Sequence, residues 1–237
     1  MKIRAGLTQR LLPFLSLIVL FVALSIASPY FLTANNLTSV VRQTAVFNTM
    51  ALGMTIVIIS GGIDLSVGSI LGLSGLIGTM ALERGYPIIV GVLIGVGVGT
   101  ACGFLNGLLV TRLRIPPFVV TLGTLGIFRG LSLIFSNGLP VHKIPAAFSF
   151  LGEGSLLGIP FVLWMLVLCA VAVHVILEHT RLGRYAFAIG SNKVASVYAG
   201  IPVDFHMTAV YAIGGALTGL AGMIEASRLM TGQPTAG

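Results

Sequence analysis

The chain has 237 residues, of which 56% are hydrophobic and 8% charged, with a mean hydropathy of +1.06. A soluble domain carries about 25% charged residues, so this composition cannot cover a water-facing surface and places the chain in a lipid bilayer. Lys and Arg outnumber Asp and Glu by 13 to 6, but the basic residues stand in short loops between apolar runs, which excludes a nucleic-acid patch and carries topology information instead.

About 20 apolar residues cross a hydrocarbon core. Runs of that kind lie at roughly 11–31, 43–60, 64–82, 88–110, 118–136, 159–177 and 207–227, so the expected fold is an all-α polytopic membrane protein with about seven spans. The first run follows a basic stretch, MKIRAGLTQR. It is longer than the apolar core of a signal peptide, about 7–15 residues, and reads as a retained span.

Between the second and third runs stands ISGGIDLSVGSILG, residues 59–72. A charged residue inside a span costs at least roughly 2.5–3.5 kcal/mol, so Asp64 needs compensation. Gly61 and Gly62 break the helix, and Asp64 is placed to cap the next one by accepting from the N–H of Ser66 or Val67. Ser66 and Ser69 can satisfy further freed backbone groups, and Gly68 lets another helix approach. Two readings stand together here: a capped break between spans at the inner face, and a discontinuous segment lining a translocation path or its gate.

Run 88–110 carries Gly91, Gly95, Gly99, Gly103 and Gly107 at intervals of four. They lie along one helix face, where small residues let helix backbones touch. The spacing fits tight packing and also a smooth seam that slides. Farther on, Arg129 lies about 16 Å into its span, where it can snorkel, pair with a carboxylate or face a water-filled path. Glu225 has a nearer partner in Arg228, three residues on.

The longer outer loop is 137–158 and the longest inner loop is 178–206. Within the latter, Asn192 is a good N-cap, Gly200 a good C′ residue and Pro202 a stop. The intervening turns place Val194, Val197, Tyr198 and Ile201 on one face. A short amphipathic helix flanked by Arg181, Arg184 and Lys193 suits the membrane surface or a groove on a partner.

With the N-terminus in the cytoplasm, Lys2, Arg4, Arg10, Arg112, Arg114, Arg181, Arg184 and Lys193 fall inside, while Arg42, Arg84, Lys143 and Arg228 fall outside, as the positive-inside rule requires. Cys102 and Cys169 sit within apolar runs and read as packed small side chains. His142, His174, His179 and His206 show no ligand spacing, so no metal site and no catalytic arrangement is expected. The lysines, Lys2, Lys143 and Lys193, lie outside any GxxxxGK[ST] loop, so this chain binds no nucleotide of its own.

SGGIDLSVGSILGLSG (60–75), NGLLVTRLRIPPFVVTLGTLGIFRG (106–130), TRLGRYAFAIGSNKVASVYAGIPV (180–203) and ASRLMTGQPTAG (226–237), in this order, closely resemble the membrane permeases of ribose-type ABC sugar importers. The resemblance covers essentially the whole chain. It implies a ten-span importer fold in a bacterial inner membrane, a separate cytoplasmic ATPase that binds ATP and Mg, a periplasmic sugar-binding protein, and a second permease copy or paralogue. By the same resemblance, Asn192, Lys193, Val194, Val197, Tyr198, Gly200 and Ile201 form the helix that couples to the ATPase, within a coupling loop at 178–206. Gly61, Gly62, Asp64, Ser66, Gly68, Ser69 and Arg129 are the candidates for the path or gate. The family's pattern continues past QPTAG into further apolar segments, so the chain is expected to stop about three spans short of that fold. The competing classes are a stand-alone secondary transporter or channel, which needs a relay built from Asp64, Arg129 and Glu225, and a membrane scaffold.

Overall fold

Proline marks where the chain turns back into helix. Pro87, Pro116, Pro160 and Pro202 each hold the position just before a helix, and Pro117 is the first helical residue after Pro116. The missing N–H costs nothing there and the fixed φ suits the first turn. The computed structural model describes the backbone of residues 2–237 and the side chains of residue 12 and residues 14–237. The side chains of Lys2, Arg4 and Arg10, which anchor the orientation argument, lie outside the described residues.

In chain order the helices are α1 (Lys2–Ala27), α2 (Ala34–Ile59), α3 (Val67–Glu83), α4 (Ile88–Arg112), α5 (Pro117–Ser136), the short α6 (Phe150–Glu153), α7 (Phe161–His179), α8 (Arg181–Ser191), α9 (Lys193–Tyr198) and α10 (Val203–Leu229). A two-residue hairpin, β1 (Ser155–Leu156) with β2 (Ile159–Pro160), precedes α7. The fold is all-α and polytopic. Among the described residues, α2, α4, α5, α7 and α10 are long and apolar enough to cross a membrane, and shorter apolar helices cover 14–27 and 67–83. The chain divides into two compact units, residues 1–41 and 42–237, and the features below all lie in the second.

Three helices make its centre. α3 is buried along most of its length, α10 buries an almost continuous face, and α4 lies against both. Lipid offers no hydrophobic drive for this association, so it rests on close van der Waals approach. The α4 glycines provide that approach. A Cβ on Gly107 would stand 2.7 Å from the Thr208 Cα, one on Gly99 would stand 2.7 Å from the Gly219 Cα, and one on Gly103 would stand 3.0 Å from the Gly215 Cα. Gly91 and Gly95 continue the row onto α3, beside the carbonyls of Gly78 and Ser74. α10 answers with its own small face, and Gly222 closes against Gly75 on α3. The seam is therefore backbone against backbone. The hydroxyls of Thr111 and Thr208 meet across it at 3.2 Å.

The connections are more structured than loops. The segment 178–206 is mostly helical: α7 runs on to His179, and α8 and α9 follow. α8 forms because its apolar residues recur at helical spacing, and it sends Ala186 and Ile189 into a core with Ile56, Val57, Val110, Met207 and Tyr211. At the opposite face, segment 137–158 folds back over α10. Phe148 is fully buried beside Leu82, Met223 and Ala226. The Ser227 hydroxyl donates to the Phe148 carbonyl at 2.6 Å and accepts from the Gly152 N–H at 2.8 Å.

Because the seam admits no side chain, Gly99→Val is expected to lower the melting temperature of the detergent-solubilised protein sharply, or to prevent its recovery. Gly97→Ala, whose added methyl meets no atom within 4 Å, should leave melting unchanged or raise it slightly through helix propensity.

Candidate functional site

α2 ends at Ile59 and α3 starts at Val67, so the chain is unwound over the residues around Asp64. Gly61 takes φ = +79°, a left-handed conformation that favours glycine. The N–H groups of Gly61 and Gly62 donate to the carbonyls of Ile58 and Val57, both at 2.9 Å, which closes the end of α2. Gly62 is pressed against Tyr211, where an added Cβ would come 2.7 Å from the phenol oxygen.

Unwinding frees polar backbone groups, and side chains from two other helices meet one of them, while a third helix reaches the side chains of the segment. The Tyr211 hydroxyl of α10 donates to the Ile63 carbonyl at 3.1 Å, and Thr121 of α5 reaches the same oxygen at 3.4 Å. Asp64 Oδ1 accepts from the Ser66 N–H at 2.8 Å and from the Ser66 hydroxyl at 2.6 Å. Asn106 of α4 donates to Ser66 Oγ at 2.8 Å and, more weakly, to Asp64 Oδ2 at 3.5 Å. The Ser69 hydroxyl donates to the Ser66 carbonyl at 2.8 Å. Asp64 is 4% exposed, and Ser66 and Asn106 are fully buried.

Asp64 accepts from the Ser66 N–H as expected, but not as the N-cap residue of α3: Ser66 holds that position and makes no side-chain cap. The carboxylate closes on Ser66, two residues ahead, in a tight local turn. Among the described residues Arg129 has no carboxylate side chain as its partner. Its guanidinium donates to main-chain carbonyls, those of Pro234 at 3.1 Å, Ala236 at 2.7 Å and Gly237 at 2.6 Å. Among the described residues no cation is in salt-bridge contact with Asp64, and the ion pair that forms is Arg228 with Glu225 at 3.0 Å. The Asp64 carboxylate is held by neutral donors and by the positive end of α3.

The path or gate candidates thus fall into two groups. Gly61, Gly62, Asp64, Ser66 and Ser69 belong to the unwound segment. Gly68 and Arg129 belong to the packing of residues 231–237, with Gly68 placing a Cβ position 2.9 Å from the Gly237 carbonyl carbon.

The coupling candidates gather on α9. Asn192 Oδ1 accepts from the Ala195 N–H at 2.9 Å, capping its start. Gly200, at φ = +77°, ends it: the N–H of Gly200 donates to the Val197 carbonyl and that of Ile201 to the Ser196 carbonyl, both at 3.0 Å. This pair of bonds is a Schellman motif. Lys193, Val194, Val197 and Tyr198 are exposed, Tyr198 at 88%. Ile201 departs from that face and packs onto the core around Val203 and Met207.

α8 joins the two sites. A Cβ on Gly190 would overlap the Ile59 carbonyl oxygen and lie 3.2 Å from the Gly61 nitrogen. Between α9 and the unwound segment opens a cleft of about 720 Å³, bordered by Ser60, Gly61, Thr111, Arg114, Lys193 and Asp204. Asn106, Tyr211, Thr121 and Gly190 were not singled out from the sequence. Asn106 carried a signal, as an amide in the otherwise apolar GFLNGLLV, and the others show their meaning only in three dimensions.

Residues 36–237 match the profile of a family described as the branched-chain amino acid transport system / permease component. The chain belongs to this permease family. Among its relatives, the ribose import permease protein RbsC of Bacillus subtilis (strain 168) is 40% identical over 234 residues, covering 98% of this chain and 73% of the relative. RbsC of Escherichia coli (strain K12) is 39% identical over 227 residues, covering 94% and 71%. The D-allose transport system permease protein AlsC of the same strain is 37% identical over 225 residues, covering 94% and 69%. No solved structure gives a significant match. A permease of this family is a multi-pass membrane protein, as the apolar helices require.

The Asp64–Ser66–Asn106 cluster predicts its own sensitivity. Asn106→Leu removes the donor to two buried oxygens, and each buried polar group left unpaired costs about 1–3 kcal/mol. Thermal melts in detergent should show a clear drop, while Asn35→Leu, at an exposed position on the other unit, should be close to neutral.

Proposed function

We propose that the chain is the transmembrane permease subunit of an ATP-binding-cassette importer that moves a simple sugar, a pentose, hexose or related small polyol, into the cytoplasm. The observation that carries this reading is α9, a doubly capped helix with its apolar side chains turned to solvent and α8 packed directly behind it on the unwound segment. A helix with an apolar face on the surface fits a groove on a partner. A broken span with its polar groups satisfied inside the protein fits a moving gate. The names of the relatives, ribose and D-allose permeases, support the solute class.

In this reading α8 and α9 face the cytoplasm of a bacterial cell, the N-terminus is on the same side, and 137–158 faces the periplasm. A separate ATPase receives α9 and holds ATP and Mg, a periplasmic sugar-binding protein delivers the solute, and a second copy or a paralogue completes the transport unit. Nucleotide binding in the ATPase shifts α9, and α8 passes the shift to residues 59–66 through the contact at Gly190. This chain performs no chemistry itself. Gly61, Gly62, Asp64, Ser66 and Ser69 form the element that changes shape.

The test is uptake of radiolabelled ribose, allose and arabinose by cells expressing the chain with its ATPase and binding protein. Uptake should require all three and stop when the ATPase loses its phosphate-binding lysine. Uptake by the chain without any ATPase would overturn the proposal in favour of a stand-alone transporter. Separately, Tyr198→Glu and Gly200→Pro should abolish co-purification of the ATPase without changing the melting temperature by more than a few degrees. The first places a charge on the apolar surface, and the second places proline where φ is positive.

A further inference from the structure

α8 touches the break from one side, at Ile59 and Gly61. On the other side stands Tyr211 of α10. It is fully buried, and its root is built into the glycine seam. A Cβ on Gly107 would stand 3.2 Å from the Tyr211 Cβ, and one on Gly103 would overlap the Tyr211 carbonyl oxygen. The root therefore cannot shift unless α4 and α10 part. From that fixed point the ring reaches to the break, where its hydroxyl donates to the Ile63 carbonyl at 3.1 Å.

That bond is long. Hydroxyl donors stand about 2.7–2.8 Å from their acceptors, and Ser227 reaches Phe148, and Ser66 reaches Asp64, at 2.6 Å. The second donor to Ile63, Thr121, is longer still at 3.4 Å, and its one proton has a nearer acceptor in the Pro117 carbonyl, at 2.9 Å within its own helix. Ile63 is thus held by a weak bond with a weaker reserve, whereas Asn106 holds Ser66 at 2.8 Å. A buried carbonyl left without a donor is costly. Thr121 lowers that cost when Tyr211 lets go, because its hydroxyl can turn from Pro117 onto Ile63. Gly62 shows what the contact requires. An added Cβ there would come 2.7 Å from the phenol oxygen, 3.2 Å from Cζ and 2.9 Å from Val57 Cγ1. Gly62 does not take a positive φ, so glycine stands at this position for space alone.

We infer that Tyr211 is the positioning residue that locks the break in this conformation, that Gly62 is bare in order to admit its hydroxyl, and that the Tyr211–Ile63 bond parts when the break changes shape. The role in transport rests on the import function proposed for the chain, while the lock on the backbone does not.

Hydrogen exchange of the full chain in detergent tests the lock without sugar or ATPase. Tyr211→Phe keeps the ring and removes the donor. The amides of Gly61, Gly62 and Ser66, bonded to Ile58, Val57 and Asp64, should exchange about 2–10-fold faster, the weight of one neutral hydrogen bond. The seam amides of α4 and the melting temperature should hold. Unchanged exchange at the break overturns the lock, and so does a rise spread evenly over break and seam. A Tyr211→Phe protein that cannot be recovered folded also overturns it, because a bond that parts during function cannot be one the fold requires. Gly62→Ala should lower the melting temperature, and adding Tyr211→Phe should restore part of the loss, since the nearest clashing atom is gone. Losses that simply add overturn the fit between the two residues. In proteoliposomes with ATPase and binding protein, Tyr211→Phe should raise ATP hydrolysis without sugar about 2–10-fold and lower the sugar carried per ATP, with the KM for sugar unchanged. Unchanged hydrolysis and yield, with faster exchange at the break, overturn the role in transport and leave the lock. If no ATPase joins the chain and exchange still rises at the break alone, the import reading fails and the lock stands.

Discussion

Backbone polar groups at membrane depth must be met inside the protein, and this molecule is organised around two places where they are not met by a helix. One is the unwound stretch 60–66, and the other is the descending segment 231–237. The first leads into the start of α3, and the second lies along α3 from Thr79 to Gly68. α3 can host them because it is itself surrounded: α4 and α10 close on it through glycines, so that little lipid reaches the irregular backbone. Without that glycine-lined centre, the carbonyl of Ile63 and those of Pro234 and Ala236 would face hydrocarbon, at a cost of several kcal/mol each.

The same arrangement links the surface to the interior. α9 stands out into solvent, but it is not an appendage. It follows α8 after a single residue, and α8 is wedged under the end of α2 with no room for a side chain at Gly190. A displacement of α9 therefore has a short mechanical route to Gly61, through packed backbone rather than through flexible side chains. The buried carboxylate of Asp64 lies a few residues farther along. Its partners are neutral, and two of its three hydrogen bonds come from Ser66 alone, so they can travel with the segment. Among the described residues, Asn106 is the side chain that ties Asp64 and Ser66 to another helix.

Much of this was legible in the residues. The apolar runs fall largely on helices α1 to α5, α7 and α10, GGIDLSVG announced a break in helix, and the Asn192–Gly200–Pro202 spacing marked a helix with both ends capped. The pairing of Glu225 with Arg228 followed from their separation on one helix. What escaped reading was tertiary. α8 looked like loop because its flanks are polar, although its apolar residues recur at helical intervals. Asp64 was read as capping the next helix through the Ser66 N–H; that bond forms, but Ser66 itself holds the N-cap position and its hydroxyl binds the same carboxylate oxygen. Arg129 was left between snorkelling, a carboxylate partner and a water-filled path, and its main-chain carbonyl partners went unread, since a sequence displays charges and does not display unpaired carbonyls. The glycines of α4 were plain, while their counterparts on α10 gained meaning only once the two helices were seen in contact.

The distance along the chain between those two helices has a consequence for how the protein is made. Gly99 and Gly215 touch in the finished molecule, yet 116 residues separate them. At a synthesis rate of about 5–20 residues per second, α4 waits roughly 6–23 s after its own emergence before its partner exists. During that interval its glycine face and the unwound stretch 60–66, which depends on Tyr211 for one of its hydrogen bonds, are without their final cover. The nascent chain must therefore be sheltered by the insertion machinery or by provisional contacts among the earlier helices until α10 arrives. The central assembly is complete only when α10 has been made.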